Sequence, residues 1–136
     1  MKFPDGIKVY GDIKHRDKEC PLEGAEQGTF FNMLRGEHPD SYALTAHHVK
    51  NEGKRTMSQI QREKAQGLAG GAADINIPGS PSFVCELKRR DHTLCSLRPK
   101  QGPFLTQAQK SGAFVCIALG HEAAWEAFND WRSLVE

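Results

Sequence analysis

The sequence predicts an α/β domain. Three observations carry that expectation: a hairpin signature between two short apolar runs, a continuous apolar run of strand length near the C-terminus, and amphipathic helical segments around both. The hairpin joins residues 73–77 to residues 82–89 through the turn-forming stretch Pro78-Gly79-Ser80-Pro81. The later run, 113–119, carries Val115 and Ile117 and has the character of a strand covered on both faces. At 136 residues the chain suits a single domain that buries its core without disulfides.

In chain order, residues 1–20 are polar and contain Pro4, Gly6 and Gly11, which suits an irregular arm or a short hairpin ahead of a core spanning 21–136. From Glu23 to Arg35 the pattern is helical, anchored by Phe30, Phe31 and Leu34 and stopped at Gly36. Glu26 lies on the same stripe as these anchors, so it is either a site carboxylate or a capping residue of the first turn. Tyr42 to Val49 reads as a strand of mixed alternation, and Asn51-Glu52-Gly53 as a turn. Thr56 to Gln66 is rich in helix formers. The small-residue stretch 67–73 is either a flexible loop or a close backbone approach leading into Asp74. After a polar loop over 91–98, Pro99 opens a helix to about Ser111 with Phe104, Leu105 and Ala108 as its stripe. Residues 121–135 form a final amphipathic helix through Ala124, Trp125, Phe128, Trp131 and Leu134.

Composition narrows the classes of function. The four cysteines lack C-x-x-C spacing, and Cys85 and Cys116 lie inside apolar runs, so a reducing cytoplasmic setting is expected. No signal segment and no apolar run near the roughly 20 residues of a membrane span is present. With 18 Lys and Arg against 17 Asp and Glu, net charge does not announce a nucleic-acid binder. The basic residues nevertheless gather within 50–64 and 88–100. Lys54, Arg55, Arg89, Arg90 and Lys100 are therefore candidate DNA contacts, or a solvated basic surface.

Side chains alternate along a strand, so Glu86 and Lys88 share a face while Leu87 points the other way. Across the predicted hairpin, Asp74 approaches that same face near register. Two carboxylates and an ammonium are the inventory for a divalent cation and a water beside a phosphodiester. Mg²⁺ or Mn²⁺ would take Asp74, Glu86 and the Leu87 carbonyl as ligands, and an inward Glu26 favours one acidic cleft. Lys88 would orient or deprotonate the water, or balance the phosphate. Zinc is not expected, because no Cys or His pair has zinc spacing.

These residues resemble the PD-(D/E)xK nuclease superfamily, and most closely its virus-type replication-repair branch, VRR-NUC. The similarity rests on a helix bearing Glu26, then Gly70-Gly71-Ala72-Ala73-Asp74, then Glu86-Leu87-Lys88, then Gln101 at the next helix, and spans about residues 23–133. Ala73 departs from the family's usual Pro before the Asp. The resemblance implies a restriction-endonuclease-like αβββαβ core, a mixed central sheet flanked by helices. It places metal ligands on Asp74 and Glu86, has Glu26 completing the cluster and has Gln101 positioning the water or its helix. It also implies a cytoplasmic, phage or prophage-like homodimer acting in DNA repair. As function it implies an endonuclease selective for Holliday junctions, branched or flapped DNA. A restriction-type or nicking nuclease on duplex DNA is the alternative among enzymes, and a non-catalytic DNA-binding module the alternative outside them.

Overall fold

Along β3 (Phe83–Lys88), Phe83, Cys85 and Leu87 alternate with Val84, Glu86 and Lys88, and this alternation divides the protein into two layers. The computed structural model describes residues 1–49, 56–67 and 70–136. The strands β1 (Lys8–Tyr10), β2 (Ile75–Ile77), β3 and β4 (Phe114–Leu119) form one mixed sheet in the order β1-β4-β3-β2. β4 lies parallel to both β1 and β3, and β2 runs antiparallel to β3.

One face carries α1 (Glu23–Glu37) and α5 (His121–Val135). Their Phe30, Leu34, Phe128 and Trp131 pack with Phe83, Cys85 and Leu87 of β3. The opposite face carries α4 (Gln101–Lys110), whose Leu105 packs with Val84, Val115 and Ile117. Both layers have closed cores, with Phe30, Leu105, Phe128 and Trp131 fully buried. Burial of each large apolar side chain contributes about 1.5–3 kcal/mol. The sheet is therefore covered on both sides, as expected for β4 and its neighbours.

The predicted hairpin forms, with Ile75 opposite Cys85 and Ile77 opposite Phe83. The helix expected over 56–66 is α3 (Met57–Ala65), closed by a capping box between Thr56 and Gln59. Residues 91–98 include a short 3₁₀ turn, His92–Leu94, capped by Asp91. Pro99 stands just ahead of α4 rather than inside its first turn.

Two expectations are corrected. Residues 42–49 are not a strand: Tyr42–Thr45 forms a helical turn, α2, and only His47 makes a bridge, to Asn76. The Tyr42 ring packs edge-on against Phe128 and Trp131, while Leu44 is exposed, so the apolar residues here do not line a sheet face. The segment before residue 20 is not a hairpin, because Lys8–Tyr10 joins the sheet edge beside Cys116–Ala118. Its partner lies more than a hundred positions away, so no local pattern marks the pairing. Tyr10 is buried there, its hydroxyl donating to Asp130 at 2.7 Å.

Candidate active site

The β2–β3 register decides where the acidic residues meet. One step beyond the pair Ile75–Cys85, the same register sets Asp74 opposite Glu86. Asp74 is held at both ends: its Oδ2 accepts the Leu87 N–H at 2.9 Å, and its carbonyl accepts from His48 Nδ1 at 3.0 Å. Glu86 and Lys88 emerge on the α4 side of the sheet. There Gln101, in the first turn of α4, reaches both.

Gln101 organises the pair. Its Nε2 donates to Glu86 Oε1 at 3.0 Å, and its Oε1 accepts from Lys88 Nζ at 3.4 Å and from the Arg98 N–H at 2.7 Å. These partners fix which end of the amide faces which group. Lys88 Nζ also donates to the Ser96 carbonyl at 3.0 Å and lies 3.6 Å from Glu86 Oε1. Glu86 and Lys88 are almost fully buried. Asp74, Glu86, Lys88 and Gln101 line one polar recess of roughly 240 Å³, with Glu23 and Arg98 at its edge.

Glu86 Oε2 has no hydrogen-bond partner although it is buried. Burial, and then the charge of Asp74 beside it, push the Glu86 carboxyl up to about 10; the Lys88 ammonium offsets only part of this. Left without a cation, Glu86 keeps its proton at neutral pH. A positive charge between the two carboxyls would reverse the balance.

The glycine stretch before Asp74 is a close approach. Gly71 has φ +81°, and a Cβ there would stand 2.5 Å from the Lys100 carbonyl carbon. Only a residue without a side chain lets this loop lie on the N-terminus of α4.

Glu26 is buried, as its place on the apolar stripe predicts, but it is not in this recess. Its Oε2 accepts the His121 N–H and pairs with His121 Nδ1 at 2.8 Å, and its Oε1 takes Arg90 Nε at 3.1 Å. It satisfies an orphan N–H at the start of α5. Burial alone would push its carboxyl up, but the bonds from His121 and Arg90 prevail and hold it below the ordinary range. The expectation of Glu26 as a metal ligand is corrected accordingly. The α1 carboxylate that reaches the site is Glu23, whose Oε1 lies 3.2 Å from Lys88 Nζ. Sequence reasoning passed over it, although it lies one turn earlier on the same helix.

The candidate DNA contacts divide. Arg89 spends its guanidinium on the carbonyls of Cys20 and Pro21, and Arg90 pairs with Glu26 and Glu122. These two arginines tie the N-terminal arm and α5 to the end of β3, and Arg89 also lines the recess. Lys100 is exposed one residue before Gln101, and the neighbouring Lys64 lowers its pKa. Lys54 and Arg55, with Asn51 and Glu52, lie outside the described residues. His47 and His48 stand near Asp74, whereas His92 bonds the chain's N-terminus and the Ile13 carbonyl. Among the described residues no group of three or more His, Cys, Asp or Glu side chains is placed to cage a metal ion. No described helix is long and apolar enough to cross a membrane.

No family model matches the sequence, and no curated protein matches it. A solved structure does: a VRR_NUC domain protein superposes with a TM-score of 0.70 over 85% of this chain and 92% of that one, at 16% identity. The fold is that of a VRR_NUC domain. Within the VRR_NUC fold, the recess sits where β3 ends and α4 begins, outside the carboxyl end of a strand parallel to its neighbour β4. That is where open α/β sheets ordinarily bind ligands. At 16% identity the likeness concerns the VRR_NUC backbone, and the chemistry rests on the side chains described above.

Proposed function

We propose that this chain is a metal-dependent DNA endonuclease that hydrolyses phosphodiester bonds in branched DNA, such as flaps and Holliday junctions. The observation that carries the reading is the buried Glu86 Oε2 without a donor, beside Asp74. A native interior rarely leaves such an oxygen unpaired, and a divalent cation is the partner that satisfies two adjacent carboxylates at once.

The donor set fits Mg²⁺ or Mn²⁺. Hard cations of this kind keep several waters and need only one or two carboxylates from the protein. Asp74 and Glu86 would hold the ion, with the Leu87 carbonyl as third ligand. The Leu87 N–H already points to Asp74, and the N–H and C=O of a strand residue leave toward the same edge. When bound, the ion supplies positive charge that eases ionisation of a water and offsets charge on the phosphate.

The chain's own residues would do the rest. Lys88, fixed by Ser96 and Gln101, would hold the attacking water in line and balance the phosphate as the ammonium, or accept the water's proton as the neutral amine. Gln101 would keep Glu86 and Lys88 at one spacing throughout. Lys100, and Lys54 and Arg55, would contact the DNA backbone. A two-fold dimer would present two such sites to a branched substrate.

The test is a cleavage panel of labelled junction, flap, linear duplex and single-stranded DNA with Mg²⁺, Mn²⁺ or EDTA. Branched DNA should be cut with metal and spared with EDTA. Metal-independent cutting, or none by a protein that still binds junctions, would defeat this reading.

A further inference from the structure

A second recess of roughly 400 Å³ opens between α1 and the segment from α2 to His48. It adjoins the candidate active site at two points. Glu23 lines the catalytic recess and the next residue, Gly24, lines this groove. His48 lines the groove while its ring donates from Nδ1 to the Asp74 carbonyl, which can only accept.

Its chemistry suits a polyanion. Arg35, His47, His48 and Gln27 line it, and no carboxylate does among the described residues. Arg35 is poised over the Phe31 ring and donates to Asn32 Oδ1 at 3.3 Å. At Gly24 and Gly28 an added Cβ would meet nothing within 4 Å, so the floor is bare helix backbone open to close approach. Another recess, beside α5, is lined by three carboxylates, Asp12, Glu122 and Glu126, against Arg90 and His15, and is less suited to phosphate. From Glu23 to Arg35 the helix spans about 18 Å, the axial rise of about five base pairs of duplex DNA.

We propose that this groove is the track in which the DNA strand leading from the scissile phosphate lies, its backbone held by Arg35, His47 and Gln27 along the glycine face of α1. The proposal rests on the nuclease reading above and names where that enzyme's substrate runs.

The test reverses charge on the groove floor. Gly28→Glu and Gly28→Lys are both accommodated by the open space and both improve helix propensity. Gly36→Glu makes the same charge change on the same helix outside the groove, also in open space. Binding of a fluorescein-labelled flapped duplex is measured by anisotropy in EDTA, and cleavage at saturating DNA in Mg²⁺. Gly28→Glu should raise Kd about tenfold, Gly28→Lys should lower it, and Gly36→Glu should leave it alone. Cleavage at saturation should hold for Gly36→Glu. Equal Kd for Gly28→Glu and Gly36→Glu would overturn the track. A wild type that binds but never cleaves would overturn the nuclease reading alone, with the Kd series still deciding the groove. A wild type that does neither would overturn both.

Discussion

Asp74, the residue just before β2, stands beside Glu86 of β3, and its Oδ2 accepts the N–H of Leu87 at 2.9 Å. The two carboxylates are therefore fixed by backbone register rather than by flexible side chains. That rigidity keeps Glu86 buried beside the Asp74 charge, and the two together hold its carboxyl in the protonated form at neutral pH.

Glu86→Gln removes this ionisable group while keeping the shape. Thermal unfolding in EDTA should show the variant at least as stable as wild type, because a neutral amide replaces a buried acid without a donor. Mn²⁺ should raise the wild-type Tm, by the equivalent of about 2.7 kcal/mol at a hundredfold excess over Kd. The variant should gain nothing from Mn²⁺ and should lose more than about 100-fold in cleavage rate. An undiminished Mn²⁺ shift in Glu86→Gln would remove Glu86 from the ligand set.

Lys88→Met keeps the stem and deletes the ammonium. Cleavage should fall by about 10²–10⁴-fold with junction binding retained, as for loss of a group acting on the reacting water. Near wild-type cutting by this variant would show that the water is positioned by something else.

Glu26→Gln separates a structural carboxylate from a catalytic one. The folded-state pKa of Glu26 lies below its unfolded value, so its contribution is complete above the unfolded carboxylate range, about pH 4.3. It is lost as pH falls through the lower folded value. The variant should be about 1–3 kcal/mol less stable at neutral pH, and its deficit should shrink on acidification. Cleavage per folded molecule should match wild type. Urea titrations at several pH values, paired with the cleavage panel, check both statements.

Gly71→Ala introduces a Cβ where φ is +81° and the Lys100 backbone is 2.5 Å away. The loop or the start of α4 must move, at a cost above about 1 kcal/mol. Because Gln101 begins α4, cleavage should fall more than stability alone explains. A variant with wild-type Tm and activity would show that the loop does not seat Gln101.

Much of this arrangement was legible without coordinates. The period of a strand puts Glu86 and Lys88 on one face, and the breaker-rich turn joins two runs that bring Asp74 alongside. Gln101 entered only by resemblance; its amide bonds to Glu86 and Lys88 are a product of α4 docking on the sheet. Glu26 misled because an inward stripe says that a side chain is buried, not what it meets. Glu23 and Glu26 differ by one helical turn, yet one faces Lys88 and the other the start of α5.

What the sequence by itself determined is what depends on neighbours in the chain: the helices around Phe30, Leu105 and Trp131, the β2–β3 hairpin, and the shared face of Glu86 and Lys88. The tertiary structure alone decided the rest. It drew Lys8–Tyr10 beside β4, turned Tyr42–Thr45 into a helix under Phe128 and Trp131, and gave Arg89 and Arg90 their protein acceptors. The physical reason is range. Alternation and turn chemistry act over a few residues, whereas parallel pairing, ion pairs and ring packing join segments whose separation leaves no periodic trace.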